Sequence, residues 1–400
     1  MGIAKRMWEE EQSRGYSRVE DTYVCQRCIR DEGLKRFVAM HREPGVCSYC
    51  DRTVRVCAMD DVIGHVVQSL HLEWGDPVNE GLAYEKEWQG DVQNTYELLW
   101  NVGLDCPEDV QDTIAEAIHD TGWCKREPYS LSFDQTLLYG WRSFSHFIIH
   151  TARFVFYKAH NDSYDRDQHD EMNPVDILEA LGTVVQELKL ITVVSAGTKI
   201  YRVRIVGRKE KLRSAKELGS PPAQFAVMPN RMSPVGIPMF YGAFDQDTAI
   251  RETYDPSSKG KLKAAVGEFA AARKLRVIDL SQTFFVPSLF DPKLQRLRPH
   301  YKFICDFISD FVKPIERSER AHADYVPTQV VTEYFRHVFQ MDDGIPVDGI
   351  IYPSSKSGRR AIVVFADSDA CVDAGAGESR GALLELTNAF DVSLKGYAKS

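Results

Sequence analysis

The sequence predicts an α+β protein: a small metal-stapled N-terminal unit, a helical middle and a C-terminal domain of short strands mixed with helices. Three observations predict it. Four cysteines between Cys25 and Cys50 are spaced as two Cys-x2-Cys knuckles. Apolar residues between 58 and 195 recur near the helical period of about 3.6. After residue 197 the texture changes to short β-branched runs separated by turns and a few amphipathic helices.

Residues 1–57 form the first expected domain, a zinc-binding knuckle. Cys25, Cys28, Cys47 and Cys50 have the spacing of a structural zinc site, and four thiolates fill tetrahedral Zn2+ completely. No position is left open for chemistry, so the site explains folding rather than activity. Two disulfides are the alternative. A redox pair is disfavoured because neither knuckle sits in a βαβ pattern. The segment from Ile29 to Val46 is too polar for a core of its own, so metal binding is expected to supply folding free energy.

Residues 58–195 read as helices. Val62, Ile63, Val66, Val67 and Leu70 give one apolar face, and Tyr96, Leu98, Leu99 and Trp100 a second. Val110, Ile114, Ala117 and Ile118 mark a third helix with Pro107 near its start. A longer helix is predicted from about Phe133 to Tyr157. Asn173-Pro174 opens another through Leu188, with Asn as cap and Pro in the first turn. His160 to Asn173 is almost wholly polar and reads as a loop or linker.

Residues 196–400 form the third expected domain. Strands are predicted at Lys199–Val206, Met239–Phe244, Leu275–Leu280, Gly349–Tyr352 and Ala361–Ala366. Helices are predicted at Asp247–Tyr254, where Asp247 is the acidic cap, and at Tyr301–Val312 and Pro327–Arg336.

Composition bounds the function. Hydrophobic residues make up 44% and charged residues 27% of the 400, ordinary values for a soluble globular protein. No stretch approaches the roughly 18–20 apolar residues of a membrane span. The N-terminus lacks the apolar segment of a secretory signal and carries Arg6 where a myristoylation motif has Ser or Thr. Cys57, Cys106, Cys124, Cys305 and Cys371 are scattered, as a reducing compartment allows. The expected location is the cytoplasm. A net charge of -9 argues against wrapping of duplex nucleic acid, yet leaves room for a local basic cleft around a small anion.

Three segments carry the chemistry. Ile200-Tyr201-Arg202 puts an arginine on a strand, where a guanidinium fork suits phosphate better than a core. Asn230-Arg231-Met-Ser-Pro-Val-Gly-Ile-Pro-Met-Phe-Tyr241 adds a second arginine and a flat ring, and Glu252 follows on the next helix. Tyr352-Pro353-Ser354-Ser355 puts a hydroxyl and backbone amides at a strand end, where ligands collect.

In this order the segments resemble the RES-domain family, over roughly residues 198–370. Its opening Tyr-Arg arginine is matched by Arg202. The arginine of its Gly-Arg-Trp-Asn-Pro loop is matched by Arg231 in Asn-Arg-Met-Ser-Pro, with Asn230 for Gly and Met232 for Trp. The tyrosine of Leu-Tyr-Ala-Ser falls on Tyr241, the glutamate of Thr-Ala-x-x-Glu on Glu252 and the serine of Tyr-Pro-Ser on Ser354. The resemblance implies an ADP-ribosyltransferase-like fold and a toxin that consumes NAD+. It implies that Arg202 and Arg231 hold the pyrophosphate and that Tyr241 stacks on nicotinamide or its ribose. Glu252 then stabilises the ribosyl cation or positions the nucleophile, and Ser354 bonds near the nicotinamide ribose or amide.

The N-terminal half resembles the HEPN/RES N-terminal region through Trp141-Arg-Ser-Phe144-Ser-His-Phe-Ile-Ile-His150-Thr-Ala-Arg153-Phe154. HEPN ribonucleases use Arg-x4–6-His, and His146 and His150 both miss that spacing from Arg142. The resulting expectation is an NAD+ glycohydrolase or phosphorylase acting as a toxin or phage-defence effector, with structural Zn2+. An ADP-ribosyltransferase modifying protein or RNA, and a HEPN-type RNase or RNA-binding protein, are the rivals. NAD+ is the expected small partner and an antitoxin or trigger protein the macromolecular one. Self-association stays open, and neither membrane nor nucleic acid is expected.

Overall fold

The computed structural model describes residues 13–119, 122–158, 172, 176–258, 260–313, 321–341, 343–375 and 381–397. The chain packs as two units, Met1–Gln135 with Phe285–Lys302, and Thr136–Phe284 with Phe303–Ser400. This division crosses the boundaries read at 57/58 and 195/196.

In the first unit, β1 (Tyr23–Cys25), β2 (Glu43–Val46) and β3 (Thr53–Ala58) make an antiparallel sheet in the order β1-β3-β2. α1 (Glu32–Met40) has no counterpart in the sequence reading, and three helices follow the predicted faces: α2 (Met59–Leu70), α3 (Thr95–Asn101) and α4 (Glu108–Ala117). β4 (Trp74–Gly75) pairs with β5 (Cys124–Lys125). Asn94 and Glu97 form a reciprocal capping box at the start of α3. Val24, Ile29, Leu34 and Val56 join Val62, Ile63, Leu98 and Ile114 in one buried cluster. The segment judged too polar for a core thus contributes Ile29, Leu34 and Val38 to a shared one.

Residues 285–302 belong to this unit although they lie far along the chain. Leu289 and Phe290 are fully buried in the same cluster. The His65 ring Nε2 donates to the Phe290 carbonyl at 2.9 Å, and Arg298 donates to Glu73 at 2.8 Å. Arg36 pairs with Asp291. A Cβ at Gly33 would lie 2.6 Å from the Asp291 backbone nitrogen, so glycine is what lets the two backbones approach.

The second unit is built on a nine-stranded mixed sheet. Its strands are β6 (Ile191–Val194), β7 (Lys199–Gly207), β8 (Phe240–Ala243), β9 (Leu262–Ala271), β10 (Leu275–Asp279), β11 (Gly349–Pro353), β12 (Arg360–Val364), β13 (Cys371–Asp373) and β14 (Leu384–Ser393). They lie in the order β13-β14-β9-β7-β8-β12-β11-β10-β6, parallel only at β10/β11 and β13/β14. The helices are α5 (Phe133–His150), α6 (Ile177–Glu187), α7 (Ala215–Leu218), α8 (Gln246–Thr253), α9 (Arg298–Val312), α10 (Ala321–Asp324) and α11 (Val326–His337), with α5 and α9 running across unit boundaries.

Several elements differ from the sequence reading. α5 stops at His150 and not at Tyr157, because Phe154, Val155, Phe156 and Tyr157 are contiguous rather than helically spaced, and Phe154 is 86% exposed. The cap of α8 is Asp245, whose carboxylate accepts from the Thr248 N–H at 2.9 Å. Asp247 instead pairs with Arg251 one turn on. Asn173-Pro174 and most of the polar stretch 160–173 lie outside the described residues. β6, β9, β13 and β14 were not foreseen. β9 is rich in Ala and Gly and reads poorly as a strand, yet it is held between β7 and β14 along its length.

One discontinuity positions the candidate site. β7 pairs with β9 from Lys199 through Gly207, but with β8 only at Tyr201 opposite Ala243. The sheet opens between β7 and β8. On one side Ile200, Phe240, Phe269 and Ile351 share a core, and on the other Val203, Ala249, Ile250 and Val266 share a second.

Candidate active site

Arg202 lies on β7 beside the β7/β8 opening. Strand parity gives it and Arg204 the face of Ile200 and Val206. The Arg202 guanidinium lies over the Phe240 ring at 5.1 Å and donates to the Tyr241 carbonyl at 3.0 Å. Its Nε is buried without a partner, as is that of Arg204. Burial first, and then the neighbouring Arg204, depresses Arg202 well below its ordinary value, to about 10. A cation so placed gains from an anion that shares its burial.

Arg231 enters from the loop before β8 and donates to the Phe311 carbonyl at 2.8 Å. Neither arginine forms an ion pair among the described residues. The loop is held from α11. Gln329, 7% exposed, donates to the Asn230 carbonyl at 2.8 Å, and Thr328 donates to the Arg231 carbonyl. Met232 is fully buried, so an apolar side chain fills the position as a Trp would. Asn230 has no left-handed backbone, so glycine is not required there.

Tyr241, half-buried on β8, uses its hydroxyl within this loop. It donates to the Ser233 hydroxyl at 3.0 Å and accepts from the Met232 N–H at 3.2 Å. Burial pushes the phenol up to about 12, so it stays neutral at physiological pH. Its polar end is therefore occupied, and the ring is what it offers a ligand.

Glu252 lies on the last turn of α8. Its carboxylate accepts the Ser354 hydroxyl hydrogen. The Ser354 oxygen in turn accepts the N–H groups of Lys356 and Ser357 at 3.2 and 3.1 Å. Ser354 is 3% exposed, and its turn closes through Gly358, whose φ of +69° suits glycine. Thr248 on α8 bonds to Ser357 at 3.0 Å, tying helix to turn. With its donor and acceptor positions engaged, Ser354 orients Glu252. Buried Tyr352 neighbours the same groups: its phenol is raised by burial first, then by Glu252 and Tyr241.

The five residues singled out in the second unit, Arg202, Arg231, Tyr241, Glu252 and Ser354, thus fall on linked elements around one opening. Thr328, Gln329 and Ser233 complete the support. They escape a sequence reading because buried Thr and Gln on a helix carry no distinguishing pattern.

Cys25, Cys28, Cys47 and Cys50 also come together, with their ligand atoms all within 4.8 Å of one another. Cys25 Sγ lies 3.8 Å from those of Cys28 and Cys50, and the Cys25 N–H donates to Cys47 Sγ at 3.4 Å. Burial first, with the neighbouring thiols, pushes Cys25 and Cys28 up, so their thiolates call for a cation here. The set could hold a metal ion. His146 and His150 lie on one face of α5 with their rings tilted by 46° and centroids 4.7 Å apart, and no further ligand joins them among the described residues.

A cavity of about 170 Å3 in the second unit is lined by Arg202 and Tyr241 together with residues of the 221–239 segment. No helix is long and apolar enough to cross a membrane.

The family model of the RES domain matches residues 199–382, and that of HEPN/RES N-terminal domain 1 matches residues 40–162. The N-terminal match begins beyond the first knuckle, and the RES match includes residues 285–302, which pack in the first unit. No curated protein and no solved structure matches the chain.

Proposed function

We propose that this chain, which belongs to the RES-domain family and carries a HEPN/RES N-terminal domain, is an NAD+-acting enzyme that cleaves the nicotinamide N-glycosidic bond. RES domains are associated with NAD+-utilising toxins, and the proposed role is that of a toxin or defence effector. An ADP-ribosyltransferase-like arrangement of the second unit belongs to the same reading.

The observation that carries it is a carboxylate held by a buried serine in the same unit as two arginines that have no acidic partner among the described residues. A dinucleotide needs those two things, cations for its pyrophosphate and an anion at the reacting ribose. Arg202 and Arg231 take the pyrophosphate, each with N–H groups left after its carbonyl bond. The ring of Tyr241 stacks on the nicotinamide end. The bond from ribose C1′ to the nicotinamide nitrogen breaks, the electron pair leaves with nicotinamide, and positive charge develops on the ribose. Glu252, preoriented by Ser354, stabilises that charge. Nicotinamide leaves as a neutral molecule, so no general acid is required, in contrast to an ordinary glycosidase. An oxygen of water or phosphate then adds to C1′.

In the first unit the proposed metal is Zn2+ on Cys25, Cys28, Cys47 and Cys50, a full tetrahedral set that serves folding.

The test is incubation of the full chain with NAD+, with and without phosphate, and identification of products by mass. Free nicotinamide with ADP-ribose supports hydrolysis, and nicotinamide with a phosphorylated ADP-ribose supports phosphorolysis. Intact NAD+ after prolonged incubation at high enzyme concentration would sink the reading.

A further inference from the structure

The cysteine knuckle shares its core with a distant part of the chain. Cys25, Cys28 and Cys47 lie in the same buried cluster as Leu289 and Phe290, which fall inside the RES-domain match. The path between them is short and has no slack. Asp31 stands three residues after Cys28, and the residues between are fixed. Ile29 is fully buried, and the Arg30 N–H donates to the Asp105 carbonyl at 3.0 Å. Gln26, inside the first knuckle, donates through its side-chain amide to the Lys35 carbonyl of α1 at 3.2 Å. The Asp31 carboxylate caps α1 by accepting the Leu34 N–H at 2.6 Å, and it also accepts the Ser288 hydroxyl hydrogen at 2.9 Å. One carboxylate thus starts the helix and grips the segment. From the same helix, Arg36 pairs with Asp291 and Gly33 lets the two backbones touch. Asp291 then caps the next turn, accepting from the Lys293 and Leu294 N–H groups at 2.9 and 3.1 Å.

The gripped segment leads directly into α9, through one turn at Gln295–Leu297. From Arg298 to Phe311 this single helix rises about 20 Å. Phe311 is fully buried, and its carbonyl accepts from Arg231. A helix carries a displacement along its axis because every turn is bonded to the next, which a loop of equal length does not. An arginine of the candidate site is therefore anchored on one end of a helix whose other end is seated by α1. Without a metal ion, four clustered thiols lose the bonds that hold them together, and the core they share with Leu289 and Phe290 loosens.

We propose that metal binding at the knuckle controls the candidate active site. Occupancy of the four cysteines seats residues 285–297 through α1, and α9 carries that seating to the Phe311 carbonyl and so to Arg231. The consequence for NAD+ rests on the reading above. The consequence for the loop that bears Arg231 does not.

The test is hydrogen exchange by mass spectrometry on the full chain, loaded with Zn2+, stripped by a chelator, and reloaded. Stripping should speed exchange of the amides of 286–297 about tenfold or more. It should do the same for residues 230–233, where the Met232 N–H bonds to the Tyr241 hydroxyl and the Ser233 N–H to the Asn230 carbonyl. The β9 amides should exchange alike in all forms, and reloading should restore both segments. KM for NAD+ should rise severalfold on stripping and fall back on reloading. Gly33→Ala supplies an arm that spares the cysteines. Alanine favours the helix, but its Cβ would lie 2.6 Å from the Asp291 backbone nitrogen and push the segment away. This variant should keep its Zn2+ yet show faster exchange at both segments and a raised KM. The proposal is overturned if 230–233 exchange equally with and without metal, or if β9 opens together with them, which would mean general unfolding. It is also overturned if Gly33→Ala keeps its metal and leaves 230–233 and KM unchanged. Coupled exchange at both segments in a chain that leaves NAD+ intact upholds the coupling and overturns the proposed reaction instead.

Discussion

The cysteine knuckle and the arginine–glutamate site are built in opposite ways. The knuckle takes four ligands from 26 residues of chain, on two turns that flank one small sheet. The other site takes Arg202, Arg231, Tyr241, Glu252 and Ser354 from five places on β7, β8, α8 and the loops beside β8 and β11. The first is a local device that could draw its folding energy from a coordinated metal ion. The second exists only if a large mixed sheet forms and opens at one pair of strands. The difference teaches where each site should fail when perturbed: the knuckle in folding, the dispersed site in binding and rate.

The largest expected effect separates them. Full chain purified without chelator should carry about one Zn2+, and Cys47→Ser should carry none and lose cooperative melting of the first unit. Structural zinc binding is on the order of 10 kcal/mol or more, comparable with the whole stability of a domain. Zinc-free wild type would break the comparison at its first term.

Next comes Glu252→Gln. It keeps size and hydrogen-bonding capacity but removes the charge that faces the developing cation. NAD+ turnover should fall about 10²–10³-fold while NAD+ binding is retained and melting is unchanged. Turnover at the wild-type rate would remove the carboxylate from the mechanism. Arg202→Ala should act mainly on affinity, raising KM about tenfold or more through loss of a charge-assisted clamp. If it lowered kcat alone, the guanidinium would serve the reacting centre and not the pyrophosphate.

Smaller still is the support from α11. Gln329→Leu keeps the volume and removes the donor to the Asn230 carbonyl. It should raise KM severalfold, because it removes about 1 kcal/mol of the hydrogen bonding that holds the loop carrying Arg231, while Thr328 still bonds to it. An unchanged KM with a lowered melting temperature would make the contact structural only.

The smallest effect concerns neither site. Asp391 on β14 pairs with Arg213 and Lys263 at 2.8 and 2.9 Å. Arg213 first, and Lys263 with it, holds the carboxyl down to about 2. A carboxyl depressed by folding adds stability above its unfolded value, near 4, and loses it as pH falls through 2. Asp391→Asn should therefore cost at most about 1 kcal/mol at neutral pH, since the pair is partly exposed. The gap from wild type should close between about pH 4 and 2. A gap that persists at pH 2 would assign the effect to packing.

Reading this fold from sequence succeeded where period and spacing are local. The faces of α2, α3 and α4, the strands β7, β8 and β11, and the two knuckles follow from residues within a few turns of each other. It failed at β9, whose Ala/Gly-rich run becomes a strand only through pairing with β7 and β14. Residues 285–302 also misled, since nothing in Leu289 or Phe290 says which core will bury them. For the site, residue types and order were legible through a family pattern. The role of Ser354 as the partner of Glu252 was not, because it depends on a turn, a helix and a strand end meeting.

The sequence by itself determined the chemistry available: four thiols at ligand spacing, two arginines, one glutamate, one serine and one tyrosine in a set order. Spacing of a few residues decides such things because short chain segments have few ways to place their side chains. Tertiary structure alone decided which groups are free to act. It left Arg202 and Arg231 without acidic partners among the described residues, engaged the Tyr241 hydroxyl, and opened the sheet beyond the single β7/β8 pair of Tyr201 and Ala243. These outcomes rest on burial and on partners that lie on other elements, as far as 80 residues along the chain, and no local pattern encodes which partner a buried polar group will find.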